Sequence, residues 1–539
     1  MSFQTEKPKK YSWIVVTAMI VGAIVGSGIV VHSVSWAATG GSYALYGLIL
    51  VWAVFLIIGI AMVDNVSMMP EKGGVYAWSR KTMGRFWGNQ IGWIYLVGFT
   101  CLSAILSWLA YQNTLKAILY FYPGEEALLA GVIFSIIIPM IFIALFTIVI
   151  GMGKKSTTQL IVGFFTIKVT MWLTIVGISL LHFEPSVAKN TPDIDPLWAT
   201  LSVGLLCLFA MNGIDAVSVI SEDIHQPGKK FGKGLIIGML IVLVLYLSTV
   251  VVIMGLVGQE GAKEAGGLAD IFLQSLSVPP PVLLVFIVIS IVGTLFINMY
   301  MVIRLSGAMS ENNDFFFGKH ARKLLNQENT TKPHKTEIPL RGIVISTLVY
   351  AIFFILIFVE NSIDSDTSFV LYCIDKLALW PFLVILFFIA FTNFKAHRMG
   401  LGKIRREEKK EFKWAKGYVI PILGMVSIAF IIVLSVYTEW TNPSDMLPSA
   451  EESYAWQFWQ ILGLVFPAFM IVPGLLYWVF KGRKKSLLVE PIEGEEKQPI
   501  SEEPKKKGKK EKVNKKKVKK KKGKTEEDIK KIKNNEDVK

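Results

Sequence analysis

The chain has 539 residues, of which 53% are hydrophobic and only 18% charged, and its formal net charge is +15. A soluble protein of this length carries more charge and shorter apolar runs. The composition therefore argues against a soluble enzyme or binding module, and in favour of a chain that lies largely in lipid.

Long apolar segments recur from residue 12 to residue 480, and each is long enough to cross a hydrocarbon core ~30 Å thick. Only helices cross lipid in such numbers, because lipid offers backbone groups no hydrogen-bond partner. The sequence therefore predicts an all-α integral membrane protein with twelve transmembrane helices. The predicted spans are 12–36, 44–69, 88–121, 127–150, 158–182, 197–221, 234–257, 280–308, 340–359, 367–392, 417–438 and 456–480.

The basic residues between these spans indicate the orientation. The N-terminus and the loops after the even-numbered helices, up to the tenth, hold 28 Lys and Arg residues, against four in the opposite loops and adjoining helix ends. Because loops rich in Lys and Arg stay in the cytoplasm, we expect a multi-pass protein of the cell membrane with both termini cytoplasmic. The first apolar stretch is too long for a cleavable signal peptide.

The C-terminal tail differs in composition from the rest of the chain. Its last 39 residues, 501–539, hold 18 Lys against 8 Asp and Glu. Low complexity predicts disorder. We favour contact of the tail with anionic lipid over contact with nucleic acid. The tail lacks residues that read or stack on bases, so it could contact nucleic acid only loosely, through its charge. The predicted regions are thus a cytoplasmic N-terminus (1–11), a transmembrane domain (12–480) and a disordered Lys-rich tail (481–539).

The first helix contains the glycine-rich stretch Gly22-Ala-Ile-Val-Gly-Ser-Gly-Ile29. Its glycines suit close helix packing. They also make Gly26–Gly28 the weakest helix in the segment, since Gly costs ~1 kcal/mol relative to Ala. An interruption there would expose N–H groups at the positive end of a helix dipole, which is a carboxylate site. Both interpretations stay open at this point.

Two charged residues lie at membrane depth. Lys168 is about ten residues inside the fifth helix, roughly 15 Å from its inner end, and an ammonium there costs ~2.5–3.5 kcal/mol. It either exchanges a proton or stays charged on carbonyls of the first helix, and we favour the first. In the sixth helix Asp215 follows a second break point, Asn212-Gly213. We favour a functional carboxylate there over a carboxyl buried in its protonated form.

Four motifs in this order resemble the amino acid–polyamine–organocation (APC) superfamily of permeases, over roughly residues 10–480. The family form G-x-x-x-G-[ST]-G-I is matched by Gly22–Ile29. The second motif, E-x-x-x-x-x-P-x-x-G-G-x-Y, is matched from Asp64 to Tyr76, with Asp in place of Glu. The third, F-x-G-x-E followed by N-P-x-[KR], is similar to Asn212–Lys230, where Asp215 replaces Glu and Gln226 replaces Asn. The fourth, R-x-x-x-A-M-A-x-D-G-x-x-P, is similar to Arg304–Phe316, which lacks the final Pro.

The resemblance implies two five-helix repeats of inverted topology, a 5+5 (LeuT-like) core with broken helices 1 and 6, plus two peripheral helices. It also implies secondary transport of amino acids, by proton symport or substrate exchange. The alternatives are a polyamine or organic-cation carrier and a membrane amino-acid sensor that does not transport. We expect no enzyme, cofactor, metal site or disulfide, because the histidines are scattered and the cysteines lie in apolar segments.

The resemblance also implies a site between the two breaks, for an amino acid or amine. N–H groups of Ser27, Gly28 and Ile29 would hold the carboxylate, and carbonyls around Phe209 and Ala210 the α-ammonium group. Phe209 is either an aromatic gate or a packing residue. The substrate-binding set is Gly26, Ser27, Gly28, Ile29, Phe209, Ala210 and Gly213, and the gating or coupling set is Lys168 and Asp215.

Overall fold

The computed structural model describes residues 11–122, 124–188, 195–224, 226–265, 267–276, 280–312, 314–315, 337–362, 367–401, 415–441 and 471–479. These residues belong to one compact unit. Within them the regular structure is helical, apart from one isolated bridge between Tyr11 and Ile224. The all-α prediction is therefore confirmed. The predicted tail, 481–539, and most of the predicted twelfth span lie outside the described residues.

The helices differ in length from 4 to 37 residues. In chain order they are α1 (Trp13–Ile24), α2 (Ser27–Gly40), α3 (Ala44–Met68), α4 (Val75–Met83), α5 (Arg85–Phe121), α6 (Glu125–Met152), α7 (Lys154–Leu180), α8 (Pro185–Ala188), α9 (Pro196–Ala210), α10 (Pro227–Leu256), α11 (Gly258–Glu264), α12 (Leu268–Leu276), α13 (Pro280–Glu311), α14 (Glu337–Ser362), α15 (Thr367–Arg398) and α16 (Ile420–Thr441). Two 3-10 helices, Gly41–Tyr43 and Ala216–Asp223, and a π-helical turn, Ala415–Val419, are also present.

Eight helical stretches of the described chain are long and apolar enough to cross a membrane, and three further apolar helices are shorter. A helix occupies each of the first eleven predicted spans; the total of twelve stays a prediction. The stretches are His32–Met68, Arg85–Phe121, Ala130–Met152, Lys154–Leu180, Pro227–Leu256, Leu283–Glu311, Leu379–Arg398 and Gly417–Val436, and the shorter helices are Trp13–Ile24, Pro196–Ala210 and Gly342–Phe358.

Two of the predicted spans are not continuous α-helices. The first, predicted over 12–36, ends at Ile24, restarts at Ser27 and continues to Gly40. The sixth, predicted over 197–221, leaves the α-helix at Ala210 and resumes as a 3-10 helix at Ala216. The four short helices α4, α8, α11 and α12 were not predicted, because hydropathy alone identifies only segments long enough to cross lipid.

The helices divide into an inner and an outer group. In the most apolar window of α5, 94% of the residues are buried, and the figure for α13 is 78%. The corresponding share is 28% for α6, α7 and α16. The inner pair therefore forms the core of the bundle, whereas the outer helices expose apolar side chains of the kind that faces lipid.

Residues of the second and fourth motifs bind each other. Gly73 and Gly74 adopt φ +95° and +54°, which leads the chain into α4. The Tyr76 hydroxyl then donates to Oδ2 of Asp314 at 2.8 Å, and Arg80 and Arg85 bond the same buried carboxylate. Burial, and next the Asp314 charge, raise the pKa of Tyr76 above its ordinary value, so its hydroxyl remains a donor. This motif pair fixes α4 to the end of α13.

A second polar cluster joins the ends of α3 and α15. Oδ2 of Asp64 and Nε2 of His397 form a buried hydrogen bond. The amide of Asn393 donates to Oδ2 of Asp64 at 3.2 Å and to Oδ1 of Asn65 at 3.1 Å. The Asn65 amide in turn donates to the Ile389 carbonyl at 2.9 Å. The acid of the second motif thus serves contact between helices.

We expect His397→Ala to lower the melting temperature of the purified protein by several degrees. Removing one partner of this buried hydrogen bond costs about 1–3 kcal/mol, because the Asp64 oxygen that faces His397 loses a partner in an apolar site. The double variant Asp64→Asn/His397→Ala should recover part of the loss. Thermal unfolding in detergent measures both, and an unchanged melting temperature for His397→Ala would show that the pair contributes nothing.

Candidate functional site

The first motif lies where the first helix is interrupted. Val25, between α1 and α2, is extended, with φ −80° and ψ 96°. A Cβ atom added at Gly26 would lie 2.1 Å from Oγ1 of Thr294. Glycine is therefore required at this point, because α13 leaves no room for a side chain.

The N-terminus of α2 carries N–H groups that have no partner within the helix. The first N–H groups of a helix, here those of Ser27, Gly28 and Ile29, point out of its end. The helix dipole adds a partial positive charge there. Gly26 precedes them and has no side chain to cap them. Such an end suits a carboxylate.

The sixth helix is interrupted next to the first. Gly213 lies between α9 and the 3-10 helix with φ +108°, which favours glycine. A Cβ atom there would also lie 3.0 Å from Cβ of Ala23 and 3.2 Å from its carbonyl carbon. Gly213 thus gives the turn and allows it to pack closely on α1.

The two interruptions touch at Gly28. A Cβ atom on Gly28 would lie 2.4 Å from Cα of Ala210 and 2.7 Å from its Cβ. The N-terminus of α2 therefore lies against the C-terminal end of α9, where carbonyl groups lose their helical partners. The structure brings these two predicted groups of residues together.

The carbonyls predicted to hold an ammonium group already have partners. The Tyr246 hydroxyl of α10 lies 2.7 Å from the Ala210 carbonyl and 3.0 Å from the Ile24 carbonyl. It has one proton, so it donates to one of them at a time. The Phe209 carbonyl accepts from the Asn212 N–H at 3.1 Å. Each carbonyl oxygen has two lone pairs, so a second donor can still bind.

Lys168 of α7 is completely buried, and its ammonium group makes three hydrogen bonds. Nζ donates to the carbonyls of Gly22 at 2.9 Å and Val25 at 2.8 Å, and to Oγ1 of Thr294 at 2.6 Å. Both carbonyls belong to the end of α1, where the helix dipole adds partial negative charge. The side chain therefore links the first interruption to α7 and α13.

The predicted gate residue Phe209 is buried and packs edge-on against His32 of α2, with ring centroids 5.1 Å apart. The contact joins the residues just before the second break to those just after the first. His32, Tyr246 and Thr294 were not predicted from the sequence. The sequence signal that could have identified them is that each is a polar side chain inside an apolar helix, and a buried polar group needs a hydrogen-bond partner.

Asp215 does not join this group in the same way. It is buried and, with Asn212, lines a small cavity whose other walls come from α5 and α15. Of the residues predicted to bind or gate, it alone lines that cavity. The second interruption therefore packs against α1 and α2, and its residues also line this cavity.

Known proteins share the sequence that builds this arrangement. Residues 11–466 match the family described as amino acid permease. The chain belongs to the amino acid permease family. The predicted membership of the APC superfamily is thereby confirmed, and the permease is a multi-pass membrane protein.

Several characterised or named transporters are similar to this permease. It is 27% identical over 248 residues to the methylthioribose transporter of Bacillus subtilis (strain 168), covering 44% of this chain and 53% of that one. It is 24% identical over 252 residues to the branched-chain amino acid permease BcaP of the same strain, covering 45% of this chain and 53% of that one. It is 23% identical over 252 residues to the probable agmatine/putrescine antiporter AguD of Lactococcus lactis subsp. lactis (strain IL1403), covering 45% of this chain and 52% of that one. The match thus spans about half the length of each relative.

A crystal structure of the manganese transporter of Eremococcus coleocola has the same fold. It aligns with a TM-score of 0.52 at 12% identity, covering 87% of this chain and 93% of that chain. At such low identity the likeness concerns the fold alone. The permease therefore has the helical fold of a known transporter.

Proposed function

We propose that this permease is a secondary transporter of amino acids in the cell membrane, acting by proton symport or substrate exchange. The observation that carries the proposal is the contact of the two interruptions at Gly28 and Ala210. It sets unpaired N–H groups beside carbonyl groups, the combination that an amino-acid zwitterion needs. We assign it twelve helices with a 5+5 inverted repeat and cytoplasmic termini.

In this proposal the substrate carboxylate binds at the N–H groups of Ser27, Gly28 and Ile29. The α-ammonium group uses the second lone pairs of the Phe209 and Ala210 carbonyls. The contact between the rings of Phe209 and His32 supports an aromatic lid that excludes water.

We assign Lys168 the coupling role. Its bonds to two carbonyls at the end of α1 and to Thr294 make the position of α1 depend on the charge of one side chain. A permanently charged lysine would make the same bonds, so the assignment depends on the transport test given in the Discussion.

The test of the proposed function is uptake into proteoliposomes. Purified permease should accumulate a labelled substrate when the outside is made acidic, or exchange it for unlabelled substrate loaded inside. Liposomes without protein are the control. If a substrate binds and raises the melting temperature but is never taken up under either condition, the permease is a sensor and the proposed transport is wrong.

A further inference from the structure

A row of exposed side chains runs along α10 from its N-terminal end. Lys229 and Lys233 begin the row, and Ile236, Leu240 and Val244 continue it at spacings of three or four residues, which places all five on one face of the helix. The three apolar side chains are 48%, 46% and 59% exposed. The helix rises ~16 Å from Lys233 to Val244, about half of a hydrocarbon core ~30 Å thick. The row is therefore about as deep as one leaflet of a membrane.

The tryptophan at the start of α1 lies beside the basic end of this row. Nζ of Lys233 lies 4.2 Å from the centroid of the Trp13 ring, close enough for a cation–π contact. The two helices pack tightly here, because the Thr17 hydroxyl donates to the Gly234 carbonyl at 3.1 Å. The neighbouring side chain of Ile14 is 48% exposed. Tryptophan beside lysine is typical of the boundary between hydrocarbon and lipid headgroups.

The lysines of this row have no acidic partner among the described residues. Lys230, next to Lys229, adds a third positive charge that also has none there. The lysines that form ion pairs between described side chains are Lys72, Lys81, Lys154 and Lys263. Positive charge above an apolar face attracts a molecule that has a negative group and an apolar part. The C-terminal tail does not fit, because residues 501–539 hold 18 Lys against 8 Asp and Glu and carry the same sign of charge.

We propose that α1 and α10 together bind an anionic phospholipid at this surface. Its phosphate would accept hydrogen bonds from Lys229 and Lys233, and an acyl chain would lie along Ile236, Leu240 and Val244. In the proposed orientation the lipid belongs to the cytoplasmic leaflet, where a negative surface attracts basic clusters. The inference goes beyond the proposed function and does not depend on it, because the surface lies on the outside of the bundle. A ligand that binds only the folded protein raises its melting temperature.

The test measures the binding of phosphatidylglycerol and of phosphatidylcholine to the full-length permease in detergent, by native mass spectrometry and by the rise in melting temperature. With the same acyl chains, the two lipids differ in that only the first has a net negative charge. We expect phosphatidylglycerol to bind at least tenfold more tightly. Lys229→Gln/Lys233→Gln should reduce that preference about tenfold or more, because each lysine near an anionic surface strengthens binding about fivefold. Lys229→Arg/Lys233→Arg keeps both charges and should keep the preference.

The matched control is Lys116→Gln/Lys263→Gln. It removes the same charge from exposed lysines of α5 and α11, which lie on the opposite side of the membrane in the proposed orientation, so the lipid preference should stay unchanged. Each of these proteins keeps the Lys-rich tail, so any binding of lipid by the tail contributes equally to all of them.

Two results would contradict the inference, namely equal affinity of the two lipids for the unaltered permease, or an unchanged preference in Lys229→Gln/Lys233→Gln. Inorganic phosphate and glycerol 3-phosphate test for a soluble ligand. If either raises the melting temperature as much as phosphatidylglycerol and competes with it, the occupant is a free phosphate compound and the lipid assignment is wrong. Uptake is measured separately in proteoliposomes. Normal uptake without a lipid preference overturns this inference alone, whereas a lipid preference without uptake overturns the proposed function alone.

Discussion

Gly28→Ala should abolish uptake and weaken substrate binding about fivefold or more, while the protein still inserts in the membrane. The added Cβ would lie 2.4 Å from Cα of Ala210, a backbone atom that cannot rotate away. Relieving this contact must separate α2 from α9. Overpacking of this kind costs about 1–3 kcal/mol, and each 1.4 kcal/mol is a factor of ten in affinity.

The matched control is Gly163→Ala in α7. A Cβ atom there has no atom to meet within 4 Å, so binding and uptake should stay at the level of the unaltered protein. Binding is measured by the ligand-induced rise in melting temperature, and uptake in proteoliposomes. Normal affinity in Gly28→Ala would show that the substrate binds away from the contact of the two interruptions.

The positions of the two interruptions were predictable because their cause is local. Glycine weakens a helix wherever it lies, and the glycines in Gly26–Gly28 and Asn212-Gly213 stand out in otherwise apolar segments. The structure interrupts the first helix at Val25–Gly26 and the sixth between Ala210 and Ala216. Each break thus includes, or adjoins, the predicted one.

The partners of the predicted residues were not predictable, because they come from helices distant in sequence. Tyr246 and Thr294 lie on α10 and α13, and each bonds carbonyls of α1. A single sequence shows that these side chains are polar and sit in apolar helices, but not which way each helix is turned. The cavity at Asp215 has the same origin, since two of its walls are α5 and α15.

The second motif illustrates the same limit. Its spacing from Asp64 to Tyr76 supported the family resemblance, yet by itself it indicated only a loop. In the structure Asp64 pairs with His397, and Tyr76 bonds Asp314 of the fourth motif. Motif residues that are far apart in sequence therefore stabilise one another, and this role becomes visible only when the helices are packed.

Lys168→Ala should remove the dependence of uptake on the pH gradient. The ammonium group donates its three N–H bonds to the Gly22 and Val25 carbonyls at the end of α1 and to the Thr294 hydroxyl of α13. A neutral amine has only two protons and a lone pair, so one of these contacts loses its donor. The Thr294 hydroxyl can turn and donate to that lone pair, because a hydroxyl both donates and accepts. Protonation thus tightens α1 against α7 and α13, and deprotonation loosens it.

The distinguishing measurement uses proteoliposomes under two conditions, uptake driven by an acidic outside and uptake driven by unlabelled substrate inside. Lys168→Ala and Lys168→Gln should both lose the first, since glutamine keeps hydrogen bonding but cannot carry the charge. Both should keep at least part of the second, because exchange needs no net proton movement. Lys155→Ala, which removes an exposed lysine of the same helix, should behave like the unaltered protein. Full pH-driven uptake by Lys168→Ala would refute the coupling role. Loss of both kinds of uptake in Lys168→Ala and in Lys168→Gln would instead show that Lys168 is a structural ammonium group that holds the first interruption in place.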